Sequence, residues 1–243
     1  MRLLNTSTLE LHEFFGSDIP YYAILSHRWG ADEVTFQDLQ QGRGSKKAAG
    51  WAKITGCCGQ TKREGWEYAW IDSCCIDKSS SAELSEAINS MFQWYRHSQV
   101  CYAYLNDVPI EEEDHERESS AFWKSAWFTR GWTLQELLAP DSVVFFNSGW
   151  VEIGTRCTFG DQIASITGIH SRFLKGAFSV ATTAQKFSWA SQRKTLRIED
   201  EAYCLMGLFE VNMPLLYGEG RRAFLRLQLE IMKISDDESL FAW

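Results

Sequence analysis

The chain has 243 residues, of which 45% are hydrophobic and 23% charged, with a formal net charge of −8. This length suits one large domain, and the composition excludes a disordered or fibrous chain. The acidic balance argues against a nucleic-acid partner. The charge is unevenly spread: Glu111 to Glu118 holds six acidic residues and Arg117, contributing −5 of the −8, and reads as a solvated loop. Eleven Trp and fifteen Phe predict a large aromatic core. The seven cysteines include the neighbours Cys57-Cys58 and Cys74-Cys75 but no C-x-x-C spacing, which reads as reduced thiols of a cytoplasmic protein. No apolar run reaches the length of a membrane span, and the N-terminus turns polar too early for a signal peptide, so no membrane partner is expected.

In chain order, Tyr21 to Ser26 predicts a short buried strand, followed by the polar and aromatic loop His27-Arg28-Trp29-Gly30. A helix is expected from Lys46 to about Gly65, weakened by Gly50, Gly56 and Gly59. Tyr68 to Asp72 predicts a second strand, ending in a carboxylate. Ser80-Ser81-Ala82-Glu83 has the spacing of a capping box, and the helix it opens aligns Leu84, Ile88, Met91 and Tyr95 on one stripe. Val100 to Leu105 predicts a third strand and Val143 to Phe146 a fourth. Between them, Phe122 to Phe128 and Gly131 to Leu138 read as short helices, the second stopped before Pro140. Helical patterns then dominate around residues 158–170, 181–190, 200–209 and 219–234. Alternating strands and helices predict a parallel α/β sheet with crossover helices over about residues 20–150, with a mainly helical elaboration over about 151–243, in a single domain. Ligands of such sheets bind at the carboxyl ends of the strands, where Ser26 to Trp29 and Asp72 fall. The Gly42-x-Gly44 pair does not continue as a dinucleotide fingerprint, and no phosphate-binding G-x-x-x-x-G-K-[ST] run is present. The His and Cys residues lack metal-ligand spacing, so no metal or cofactor is expected.

Five segments together carry a resemblance. Tyr22-Ala23-Ile24-Leu25-Ser26-His27-Arg28-Trp29-Gly30 resembles the opening motif of fungal heterokaryon incompatibility (HET) domains. Trp70-Ile71-Asp72-Ser73-Cys74-Cys75-Ile76-Asp77 is similar to their second motif, with Asp77 where Asn or Gln is common. Arg130 to Leu137 resembles the third, and Arg197 to Phe209 with Met213 to Gly220 the C-terminal signature. The ending Phe241-Ala242-Trp243 is similar too. The resemblance implies a cell-death effector of fungal vegetative incompatibility and innate immunity. In NOD-like incompatibility proteins such a domain is followed by nucleotide-binding and repeat sensor domains, and it acts as a homo-oligomer on activation.

HET domains in turn resemble TIR domains, which implies a flavodoxin-like sheet. Many TIR domains carry Ser-x-Trp-Cys-x-x-Glu-Leu, whose Glu is catalytic in NAD hydrolysis. Trp132-Thr133-Leu134-Gln135-Glu136-Leu137 has the same Trp-to-Glu spacing, so the resemblance implies that Glu136 is the catalytic carboxylate and NAD or a related nucleotide the substrate. The chemistry needs few groups. Nicotinamide leaves as a neutral base from a cationic pyridinium, and a carboxylate stabilises the oxocarbenium-like transition state. Trp29 and Trp132 are candidate stacking plates, and Ser26, His27, Arg28 and Asp72 candidate contacts to ribose or phosphate. Structural roles compete at each position: Trp132 in the core, His27 capping its own loop, Arg28 paired with Asp72, Asp72 ordering turn amides. Glu199-Asp200 beside Arg197 reads as a helix start with an ion pair. The competing functional reading is a non-enzymatic assembly module that recruits an executor.

Overall fold

The computed structural model describes residues 1–242, so the Trp243 of the closing motif lies outside the described residues. The elements run β1 (Arg2–Asn5), β2 (Leu11–Glu13), β3 (Tyr22–His27), α1 (Phe36–Gln40), α2 (Ala48–Arg63), β4 (Tyr68–Trp70), α3 (Asp72–Cys75), α4 (Ser81–His97), β5 (Val100–Tyr104), α5 (Thr133–Leu138), β6 (Val143–Phe146) and β7 (Glu152–Thr155). The helical part follows as α6 (Gly160–Thr167), α7 (Ser171–Leu174), α8 (Thr183–Ala190), α9 (Asp200–Tyr203) and α10 (Arg222–Ile234).

One seven-stranded sheet has the order β2-β1-β4-β3-β5-β6-β7. Its centre, β4-β3-β5-β6, is parallel, and these are the four strands expected from the sequence. Every residue of β3 and of β5 is buried, as continuous apolar runs in a sheet covered on both faces require. The chain leaves β3 for β4 on one side and reaches β5 on the other. The strand order therefore reverses at β3, and a crevice opens beyond the carboxyl ends of these strands.

The sheet is mixed rather than purely parallel. β1 pairs antiparallel with β4, β2 with β1, and β7 with β6, extending the sheet from residue 2 to residue 155. These strands have three or four residues, too few to show a period. Arg2 is held by the carboxylate of Glu83, which ties the N-terminal strand to α4. Glu83 is thus only half of the expected capping box. Ser80 accepts the Glu83 amide, but the Glu83 carboxylate turns to Arg2 and to the Asp77 amide at 2.7 Å.

The expected helix over Phe122–Phe128 is instead a series of turns with a 3-10 segment at Ala126–Thr129. Side-chain acceptors take the amides that a helix would have paired internally. Glu112 accepts from Ala121 and Phe122 at 2.5 and 3.2 Å, and Asp107 accepts from Ser125 Oγ and the Ala126 amide at 2.7 and 2.9 Å. Glu112 is therefore half-buried and structural, whereas its acidic neighbours Glu111, Glu113 and Asp114 are exposed as expected. The Phe122 ring packs edge to face with Phe128 and Phe145, 5.3 and 5.4 Å away, and the latter two lie tilted 6.1 Å apart.

Candidate functional site

The start of α5 is set by a close backbone approach. Gly131 donates to the Lys194 carbonyl at 3.0 Å, and Lys194 donates to Thr129 at 2.7 Å. A Cβ on Gly131 would come within 2.5 Å of the Thr195 side chain and 3.1 Å of the Cys204 sulfur, so only glycine fits. Arg193 completes the brace, its Nη1 donating to the Arg130 carbonyl at 2.9 Å and to Thr133 Oγ1 at 3.0 Å. All six residues of α5 are buried, Glu136 among them at 7% exposure.

Glu136 sits against the end of β3. Ser26 Oγ donates to Glu136 Oε2 and accepts from the indole N–H of Trp127 at 2.8 Å. An indole can only donate, so it fixes the direction of the chain: the serine proton must point at the carboxylate. The arrangement dedicates Oε2 to accepting, and any proton that the carboxyl carries belongs on Oε1. Burial pushes the Glu136 carboxyl up to about 8; the Ser26 bond opposes this, the Asp72 charge adds to it, and Arg130 and Arg193 oppose it.

Glu136 opens onto a cavity of about 290 Å³ at the carboxyl ends of the strands. The expected stripe of α4 supplies its apolar wall, with Leu84, Ile88, Met91 and Tyr95 all lining it. Tyr95 is fixed by its hydroxyl, which donates to the Leu25 carbonyl at 3.0 Å.

One end of the cavity is built around Asp72. Its carboxylate accepts from Trp29 Nε1 at 2.9 and 3.2 Å, lies 3.3 Å from His27 Nε2 and 3.4 Å from Lys78 Nζ. Lys78 Nζ also lies over the Trp29 ring, 3.3 Å from its centre. Burial alone would raise the Asp72 carboxyl, but the Lys78 charge, the nearby His27 ring and the Trp29 bond hold it well below the usual carboxylate range. His27 is 6% exposed, lines the cavity, and neither ring nitrogen has a well-aligned hydrogen-bond partner.

The other end joins the start of α5 to the C-terminal third, with Arg130 and Trp132 lining it beside Arg197, Asp200 and Tyr217. Tyr217 donates to Asp200 at 3.0 Å, and the Arg197 guanidinium lies 4.2 Å from the Tyr217 ring centre. Glu199 accepts the amides of Gly218 and Gly220 at 2.8 and 3.0 Å, folding the Tyr217 loop back onto α9. Neither Glu199 nor Asp200 forms the expected ion pair with Arg197 within 4 Å; both carboxylates are spent on hydroxyl and amide donors.

Of the seven residues singled out in the sequence, five line the cavity: His27, Trp29, Asp72, Trp132 and Glu136. Ser26 stands behind Glu136, fully buried, and touches the site only through it. Arg28 turns away. Its guanidinium pairs with Asp107 at 3.8 Å rather than with Asp72, whose carboxylate is taken up by Trp29 and Lys78 with His27 close by. The sequence reading missed Arg130, Lys78, Asp200 and Tyr217 as wall residues; Arg197, Asp200 and Tyr217 fall in the C-terminal segments quoted above, whose chemical role the spacing alone did not give.

Residues 22–120 match the family model described as Heterokaryon incompatibility protein (HET). The vegetative incompatibility protein HET-E-1 of Podospora anserina is 47% identical over 230 residues, covering 92% of this chain. The chain belongs to the HET family. It spans only 17% of the length of that relative. The matched family segment of this HET domain ends before Glu136. No solved structure matches the chain. Among the described residues, no helix is long and apolar enough to cross a membrane.

Proposed function

We propose that this HET domain is a cytoplasmic cell-death effector of fungal vegetative incompatibility, acting by hydrolysis of NAD to nicotinamide and ADP-ribose. The observation that carries the reading is one buried carboxylate, Glu136, on the wall of a 290 Å³ cavity beyond the parallel strands. The order of those strands, β4-β3-β5-β6, agrees with a TIR-like, flavodoxin-like core, which supports the comparison on which the role of Glu136 rests.

In the reaction the bond from the ribose C1′ to the pyridinium nitrogen breaks, its electron pair leaving with neutral nicotinamide. Water adds to C1′, and its proton passes to a base and then to solvent. Glu136 faces the developing positive charge from a site with little water, where a carboxylate acts strongly on a cation. The free protein holds Glu136 largely protonated at neutral pH. A bound pyridinium favours the ionised form, so substrate binding expels the proton and creates the catalytic carboxylate where it is needed. Trp29 and Trp132 offer aromatic faces, while Lys78, Arg130 and Arg197 supply charge for a pyrophosphate. Asp72 and His27 order the loop after β3.

A second reading, homotypic assembly without catalysis, is favoured by one observation. Leu225, Leu229 and Met232 form an exposed apolar stripe on α10, opposite its buried Ala223, Leu227 and Ile231. The two readings separate in one experiment: nicotinamide release from NAD by wild type and Glu136→Gln, each with and without an oligomerising tag, beside toxicity in a fungal host. Hydrolysis predicts release by clustered wild type and neither release nor killing by the variant. Killing by a folded Glu136→Gln protein, or no release from clustered wild type, overturns it. In HET-E-1 this domain corresponds to 17% of the chain. We infer that nucleotide-binding and repeat sensor domains follow it in the full-length protein and govern its clustering.

A further inference from the structure

A second cavity is larger than the one at Glu136. About 450 Å³ opens between α8, α9 and α10. The two cavities share the segment at the start of α5: Gly131 lines this one, while its neighbours Arg130 and Trp132 line the other. The walls are mainly apolar, formed by Phe187, Ala190, Leu205, Phe224 and Leu225. The Phe187 and Phe224 rings lie 5.3 Å apart.

Arg193 stands against this apolar surface without a counterion. Its Nε donates to the Trp189 carbonyl at 3.2 Å and its Nη1 to Arg130 and Thr133, all neutral acceptors. Its Nη2 is shielded from solvent and has no partner. No carboxylate among the described residues lies within 4 Å of it, whereas a buried guanidinium ordinarily keeps one. Arg221 also lines the cavity, exposed and free of any ion pair among the described residues, with Glu201 and Gln228 as the remaining polar groups. Two guanidinium groups against one carboxylate leave the cavity one positive charge in excess.

We propose that this cavity is a binding site for an amphipathic monoanion, with its carboxylate on Arg193 and an aromatic or branched aliphatic body against Phe224 and Leu225. The volume suits a small organic molecule. A bare anion leaves the apolar walls wet, and a neutral apolar molecule leaves Nη2 unpaired, so neither fits as well as a molecule with both parts. An occupant would also fix the guanidinium that braces the start of α5, the helix carrying Glu136. The proposal does not depend on NAD turnover, because the two cavities share no wall residue and are linked only through the Arg193 brace and its charge.

Calorimetric titration of the whole chain with 4-phenylbutyrate, 4-phenylbutan-1-ol and acetate tests it. The acid is expected to bind saturably, the alcohol at least tenfold more weakly, and acetate not measurably up to about 10 mM, where binding is worth under roughly 3 kcal/mol. Arg193→Gln should bring the acid down to the alcohol. Because Arg193 also braces α5, Leu225→Glu serves as the second variant: Leu225 is exposed, so the fold is retained, and a carboxylate at the rim should weaken the acid at least tenfold. Glu136→Gln should bind the acid as wild type does, which separates this site from the other cavity. Equal affinity for acid and alcohol, no saturable binding of the acid, or indifference to Leu225→Glu each overturns the proposal.

Discussion

The two halves of the Glu136 cavity hold carboxylates in opposite states. At one end Asp72 has the Trp29 indole, the Lys78 charge and the His27 ring around it, and stays ionised into strong acid. In the middle Glu136 has one hydroxyl donor, an apolar wall and a neighbouring negative charge, and its carboxyl rises to about 8. The difference is environmental, since the two groups have similar chemistry in water. Pairs of titratable groups pushed apart in this way mark sites where one group must be charged and the other must be able to change charge. Asp72 orders the loop; Glu136 is poised to respond to a cation.

The comparison breaks most decisively at Glu136. Glu136→Gln keeps the shape and the bond to Ser26 but removes the ionisable group, and should reduce nicotinamide release by about 100-fold or more. Its stability should differ from wild type in a pH-dependent way. A carboxyl raised in the folded state stabilises below its ordinary pKa and loses that contribution as pH rises towards about 8. Melting curves from pH 5 to 9 should therefore fall for wild type relative to Glu136→Gln. Asp72 carries the opposite sign: its contribution is present above the ordinary carboxylate range and is lost as pH falls through the acid range. Asp72→Asn should cost about 1–3 kcal/mol in urea denaturation at pH 7, and the cost should shrink in acid.

Ser26→Ala tests the link between the halves at smaller cost. It strands the Trp127 indole N–H and removes the one hydroxyl that favours ionised Glu136. It should destabilise by about 1–3 kcal/mol and move the pH profile of NAD hydrolysis to higher pH, a shift that simple loosening of the fold would not give. Arg28→Ala sits at the end of the scale. Its partner Asp107 lies outside the cavity, and the loss should be within about 0.5 kcal/mol with unchanged NAD release. A large loss of release in Arg28→Ala would mean that the loop after β3 turns inwards when substrate binds.

The sequence made some of this legible and hid the rest for physical reasons. The four parallel strands announce themselves because a strand buried on both faces must be apolar throughout, as Tyr22 to His27 and Val100 to Tyr104 nearly are. Strands outside the parallel centre, such as Arg2–Asn5 and Glu152–Thr155, have four residues, so neither length nor period distinguishes them from loops. Glu136 could be singled out by its spacing from Trp132, and the α4 stripe by its helical period. The far wall could not. Asp200 and Tyr217 reach the cavity because Glu199 pins a loop through two glycine amides, a contact that no local pattern encodes. Ser26 was picked out as a site residue, but only the Trp127 indole, 101 positions away, reveals that it works by orienting Glu136.

The central claim, a carboxyl at position 136 that is neutral at rest and ionises for a cation, can be measured directly. Carbon-13 labelling of the glutamate side chains, with Glu136→Gln to assign the signal, follows its titration with and without NAD. The account predicts a midpoint near 8 in the free protein that falls when NAD binds, with release of a proton. A midpoint in the ordinary range of about 4 to 5, unmoved by NAD, would contradict it.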